Sequence, residues 1–391
     1  MSQVQVTENI AYEEPISRRC LYNSFSRWPT TPDNRKFVKS VSLTLKAGIG
    51  ALNTIKTNGF DVSSIGTIAG ASGGAKWLVL SQLDRAILAS LVPKLRGPVH
   101  LLGTSIGSWR FSCYAQNDPV AAIERFETAY VEQRFSERPN IQEITATSRE
   151  IIQLLLGDRG VHEILNHPVF RSHVMAVRSR HILASEKPWL LGSGLLAAAG
   201  LNLLSRRTLG MFFERALFYD ARDLPPFFDA TGFPLQQVAL RPQNFEDAVV
   251  ATGSIPFVLN GVRDIDGAAQ GVYRDGGMID YHHDLPHSAD DRLTLYPHFY
   301  DRMVPGWFDK KLGWRRPRPE HVDRTVLISP SKAFVAKLPN GKIPDRTDFV
   351  NYTTDERIRN WRACIKACEE LADDFNEILA KDQLAARLQP L

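Results

Sequence analysis

The stretch "GTIAGASGGAKWLVLSQL" (66–83) sets Ser72 in a G-x-S-x-G frame, directly after an apolar run and directly before residues with helical spacing. The run "VSSIGTIA" (62–69) reads as a strand, and Trp77, Leu80, Leu83, Ile87 and Leu91 recur in steps of three and four, the period of a helix face. A strand turning sharply into a helix is half of a βαβ unit. The frame occurs a second time at "VHLLGTSIGSWR" (99–110), where Ser105 follows the strand candidate "GPVHLLG" (97–103). Upstream, the β-branched run "KFVKSVSLTL" (36–45) leads through a glycine-bearing loop into a short helix that carries Leu52 and Ile55 and stops at Asn58-Gly59. This alternation predicts parallel strands covered by helices, an α/β fold.

Further along, 140–235 reads as mainly helical, and "FEDAVVATGSIPFVL" (245–259) as a helix stopped by Pro256. "GVYRDGGMID" reads as a short strand entering a tight turn, and "RTVLISPS" (324–331) as a last strand. Ile358, Trp361, Ile365, Cys368, Ala372, Phe375 and Leu379 line one face of an amphipathic helix over 355–381. The expected organisation is a polar N-terminal arm at 1–36, an α/β domain at 37–335 with a helical insertion or lid at 140–235, and a helical extension at 345–391 packed on the domain.

Apolar residues make up 43% of the 391 and charged residues 23%, an ordinary globular balance. A net charge of +4 with no basic block argues against nucleic acid as a partner. The four cysteines, Cys20, Cys113, Cys364 and Cys368, form no zinc or disulfide pattern, and the N-terminal residues lack an apolar signal core, so a cytoplasmic setting is expected. The segment "PWLLGSGLLAAAGLNLL" (188–204) falls short of the roughly 20 apolar residues of a spanning helix. It reads as a buried or hairpin-like helix, with a lid or membrane-dipping element as the rival because Arg206, Arg207, Phe212 and Phe213 follow.

A serine hydroxyl attacks a carbonyl only with a base beside it and donors for the oxyanion that forms. The G-x-S-x-G turn lifts Oγ to the end of the sheet and aims a helix N-terminus at the developing charge. Both frames have the strand-before, helix-after context. Asp275, followed by Gly276 and Gly277, is a candidate base held in a turn. The cluster "DYHHDLPH" (280–287) offers His282, His283 and His287; it reads as a surface loop, no metal is expected there, and a Ser105 triad completed by His283 stays open.

The order "GIGALNTIKTNGFDVSSIGTIAGASGGAKW", "ATGSIPFVLNGV", "YRDGGMIDY" resembles the patatin-like phospholipases over about residues 38–335. The resemblance implies a three-layer α/β/α sandwich with a mainly parallel sheet, and a Ser-Asp dyad without histidine. It implies Ser72 as nucleophile, Asp275 as base, Gly70, Gly74, Gly276 and Gly277 as motif glycines, and Ala47, Gly48 and Ile49 as a reduced oxyanion loop. The activity it implies is lipid acyl hydrolysis, of phospholipase A or lysophospholipase type, with no cofactor. Ala251, Ser254 and Pro256 fit loosely to the segment that precedes the family's aspartate. Alternatives are a Ser105 esterase with a His/Asp triad and an inactive lipid-binding scaffold. Trp307, Phe308 and Trp314 alternate with Lys310, Lys311, Arg315, Arg316 and Arg318, a pattern suited to a bilayer surface as a partner beside the acyl-ester substrate.

Overall fold

The structure, a computed structural model, describes residues 41–288 and 290–391. The expected arm at 1–36 lies outside the described residues, as do positions 36–40 of the first expected strand and Cys20. Among the described residues eleven strands form one mixed sheet: β1 (Leu43–Ala47), β2 (Ile65–Gly70), β3 (Val99–Thr104), β4 (Phe170–Ser179), β5 (Phe213–Tyr219), β6 (Leu235–Ala239), β7 (Val262–Arg263), β8 (Val272–Asp275), β9 (Leu293–Pro297), β10 (Thr325–Pro330) and β11 (Leu388–Pro390). Their order is β11-β1-β10-β9-β2-β3-β4-β5-β6, with β8 on β4 and β7 on β8. The central run β10, β9, β2, β3, β4 is parallel throughout. The chain is therefore an α/β protein with a mostly parallel mixed sheet and helices.

The centre of the sheet follows from sequence. Every residue of β2 ("IGTIAG") and of β3 ("VHLLGT") is buried, as expected of short apolar runs in a parallel sheet covered on both sides. The helix Ile106–Tyr114 that follows β3 is buried in all nine residues. Such a helix can hold Arg110 only if its charge is met. Arg110 Nε and Nη2 clamp the Asp84 carboxylate at 2.8 and 2.5 Å, and Tyr114 donates to the same group at 2.8 Å. With both charged groups under 3% exposed, this clamp fixes the helix Ser81–Ser90, which carries Asp84, to the helix behind β3.

Two features of the sheet depart from the sequence reading. β1 runs antiparallel to β10, with Leu43 opposite Pro330 and Ala47 opposite Val326. The loop after β1 therefore emerges at the end of the sheet where β2 and β3 begin, not where they finish. The supposedly helical middle also contains two strands, β4 and β5. Ten-residue β4 spans the sheet, and its apolar residues Val174, Met175, Ala176 and Val177 are buried together, which hides the two-residue alternation of a strand.

The segment Pro188–Leu204 is a single helix of 17 residues. Among the described residues no helix is long and apolar enough to cross a membrane. The C-terminal pattern resolves into helices Thr354–Ala367 and Glu369–Ala380, opened by a capping box of Thr353 with Glu356. Cys113, Cys364 and Cys368 are buried free thiols.

Candidate active site

The site is built by two strands that meet end to end along a third. On one side of β4, β3 pairs as far as Thr104 opposite Met175. The next residue of β4, Ala176, is opposite Asp275, the last residue of β8, which runs antiparallel. β3 and β8 thus approach from opposite directions and finish at the same point. The residue after Thr104 is Ser105, and its Oγ donates to Asp275 Oδ2 at 2.7 Å.

Ser105 forms a one-residue elbow between β3 and the helix that starts at Ile106. Its backbone lies at φ 56°, ψ −129°, a conformation a side chain rarely adopts, so the surrounding packing must hold it. Glycines make the approach close enough. A Cβ on Gly107 would lie 2.0 Å from the carbonyl oxygen of Gly70, and one on Gly103 would lie 2.5 Å from Ser108 Cα. The Ser105 N–H donates to Thr252 Oγ1 at 2.8 Å, and that hydroxyl in turn donates to the Met175 carbonyl. One threonine thereby ties the elbow to the point where β3 gives way to β8.

Asp275 also accepts from the Gly277 N–H at 2.7 Å, so both carboxylate oxygens are engaged. The group is 4% exposed, and burial pushes its pKa up to about 6, against the pull of the Ser105 hydroxyl and the Gly277 N–H. A carboxylate titrating there is poised as a base near neutral pH. The turn beyond it is anchored by Asp280, which takes a bidentate bond from Arg215 at 2.7 and 2.8 Å.

The expected dyad is Ser72 with Asp275; the structure places both at this site, with Asp275 Oδ1 2.8 Å from where a Gly277 Cβ would sit, but the serine that hydrogen-bonds Asp275 is Ser105. Ser72 lies on the wall of the same site, its Oγ 2.6 Å from where a Gly277 Cβ would sit. The reason is local. β2 ends at Gly70, and Ala71 to Gly73 form a loop before the 3₁₀ turn Gly74–Leu80, so Ser72 sits on an extended loop and not on an elbow. The loop is pinned by Ser72 N–H to Tyr281 O at 3.0 Å. The N–H groups of Gly73 and Gly74 meet no backbone carbonyl among the described residues.

The expected oxyanion loop at Ala47, Gly48 and Ile49 is also corrected. It stands at the opposite end of the sheet, because β1 is reversed, and its Gly48 N–H is bonded to Thr325 O at 3.0 Å. The histidine cluster is not a surface loop: His282, His283 and His287 are at most 1% exposed. His283 Nε2 is hydrogen-bonded to Thr104 Oγ1 at 2.6 Å, one residue short of Ser105, and burial holds its pKa well below the ordinary range. Among the described residues no histidine hydrogen-bonds Ser105, and no group of three His, Cys, Asp or Glu side chains is arranged to hold a metal ion.

Sequence reasoning missed Thr252, Thr104 and the Arg215–Asp280 pair. Thr252 and Thr104 had a signal, each lying in a stretch already singled out: Thr252 is the last helical residue before "GSIP" and Thr104 directly precedes Ser105. No protein-family model, no curated protein and no solved structure matches the chain.

Proposed function

We propose that this chain is a serine hydrolase that cleaves acyl esters through a Ser105–Asp275 dyad, with acyl lipids as its substrate class. The observation that carries this reading is the 2.7 Å bond from a serine held on a strained strand-to-helix elbow to a buried carboxylate. An elbow of this kind serves to present a nucleophile, and its conformational cost needs a reason. The resemblance to the patatin-like phospholipases supports it, provided that the nucleophile's place passes from Ser72 to Ser105. An aspartate followed by two glycines is then the base, with no histidine between base and serine.

In the proposed reaction Asp275 Oδ2 takes the proton from Ser105 Oγ as Oγ bonds to the ester carbonyl carbon. The oxyanion is received by the N–H groups of Gly73 and Gly74 and of Ile106, at the N-terminus of the elbow helix. Collapse breaks the carbon–oxygen bond to the alcohol, which leaves with the proton from Asp275. A water molecule then gives a proton to Asp275 as its oxygen bonds to the acyl carbon, and collapse breaks the bond to Ser105 Oγ, which takes the proton back from Asp275 as the acid leaves.

The lipid part of the reading rests on the helix Pro188–Leu204, in which Trp189, Leu196 and Leu204 are 70%, 76% and 81% exposed. It follows the C-terminal end of β4, so it stands at the dyad's end of the sheet. Apolar side chains displayed there suit contact with acyl chains or a bilayer surface. Ser105 is only 4% exposed, so a substrate enters by displacing part of what covers it.

The test is labelling with a fluorophosphonate probe followed by peptide mapping. The adduct is expected on Ser105, absent in Ser105→Ala and retained in Ser72→Ala. An adduct on Ser72, or none on folded protein, would overturn the assignment.

A further inference from the structure

A cavity of about 260 Å³ opens between the turns at 205–207 and 231–233, closed by Asp284, Pro305 and the 315–318 segment. Its volume is far beyond what a single structural water needs. Five arginines line it: Arg206, Arg207, Arg315, Arg316 and Arg318.

They are not equivalent. Arg206 is neutralised: it meets Asp309 at 3.2 Å and Asp284 at 3.7 Å, and donates to the carbonyl of Ile279. Arg315 donates to Asn202 O at 2.7 Å, an uncharged acceptor that leaves its charge unmatched. The side chains of Arg207, Arg316 and Arg318 make no hydrogen bond or ion pair among the described residues. Asp284, the acid in the lining, is already committed to the Arg318 N–H at 2.9 Å and to His321 at 2.8 Å as well as to Arg206. Four arginines without a carboxylate partner therefore line one cavity, Arg315 and Arg318 half-buried and Arg207 and Arg316 exposed at its mouth. Crowding like charges around a partly enclosed space raises the local potential, which an entering anion lowers.

We propose that this cavity is a binding site for a phosphate group. Guanidinium forks match the tetrahedral oxygens of phosphate in pairs of parallel hydrogen bonds. Four unmatched charges also favour a multiply charged phosphate over a single carboxylate. The site lies at the dyad's end of the sheet, since Arg206 and Arg207 open the 3₁₀ turn Arg206–Met211 that leads into β5, whose first residue, Phe213, is opposite Ser179 at the end of β4. Nothing in the charge balance depends on the hydrolase reading. The phosphate can belong to a lipid headgroup or to a soluble phosphate compound, and the experiment separates the two.

The full chain is titrated with inorganic pyrophosphate by calorimetry, and sedimented with phosphatidylcholine vesicles with and without phosphatidic acid. The same is done for the double variant Arg316→Gln, Arg318→Gln and for Ser105→Ala. Removing two charged donors is expected to weaken binding by about tenfold or more, with thermal unfolding unchanged. Saturable pyrophosphate binding assigns a soluble phosphate, whereas binding only to vesicles with phosphatidic acid assigns a headgroup; either supports the site. No binding in both arms, or binding unchanged in the double variant, overturns it. Ser105→Ala is expected to bind like the native chain, so failure of the dyad assignment leaves this result standing.

Discussion

Replacing Asp275 by asparagine should remove activity and at the same time make the protein more stable. Burial holds the carboxyl at a pKa of about 6, whereas an unfolded aspartate titrates near 3.9. Between those values the folded chain keeps a proton that the unfolded chain has released. Stability therefore falls as pH rises through that window, and the loss is complete above about pH 6. At about 1.4 kcal/mol per tenfold change in proton affinity, the buried charge costs on the order of 3 kcal/mol at pH 7. The asparagine side chain is uncharged and its carbonyl can still accept from the Gly277 N–H, so Asp275→Asn should recover much of that sum. The gain should appear in urea unfolding at pH 7 and vanish near pH 4, where the native carboxyl is protonated. Turnover of a p-nitrophenyl acyl ester should fall by about 10²–10⁴-fold in the variant. For the native chain, kcat/KM should rise about tenfold between pH 5 and pH 7 and level off, as expected when only the ionised base is competent. A flat profile over that range, or a variant less stable than the native chain at pH 7, would refute the assignment of Asp275 as a buried base.

Thr252→Val removes the acceptor for the Ser105 N–H and should cost about 1–3 kcal/mol in chemical unfolding; Thr252→Ser, which keeps the hydroxyl, should restore most of the activity that Val loses. Gly107→Ala drives a methyl group into the Gly70 carbonyl, and esterase assays should find it inactive even if circular dichroism shows it folded, because the elbow must move away from the 71–74 loop. Asp84→Asn leaves the buried Arg110 charge unpaired, so its urea midpoint should drop by the equivalent of about 3–5 kcal/mol.

The parallel centre of the sheet was legible because β2 and β3 are short apolar runs, each followed by glycine and a helical pattern. Asp275 was legible for a similar reason: a strand that stops at Asp-Gly-Gly leaves a carboxylate at a fixed place. The choice between two serines needed a finer measure, which the residues do contain. Around Ser105, strand and helix abut with one residue between them. After Ser72 two further glycines lengthen the turn into a loop. The direction of β1 could not be read, because a strand's own residues do not say which neighbour it will pair with. β4 was hidden by its burial on both faces, and the histidines were misplaced because proximity of polar residues in sequence says nothing of the Thr104 hydroxyl and Val304 amide that each engage one ring nitrogen, of His283 and His282, inside the protein.

β11 has a consequence for anyone altering the chain near its last residues. Leu388–Pro390 lie parallel to Leu45–Ala47 and cover the outer edge of β1. Shortening the chain before Leu388 would leave that row of amides and carbonyls unpaired, a template on which a second molecule can add its own strand. Such a truncation should betray itself as self-association in light scattering, with the dyad untouched at the far side of the sheet.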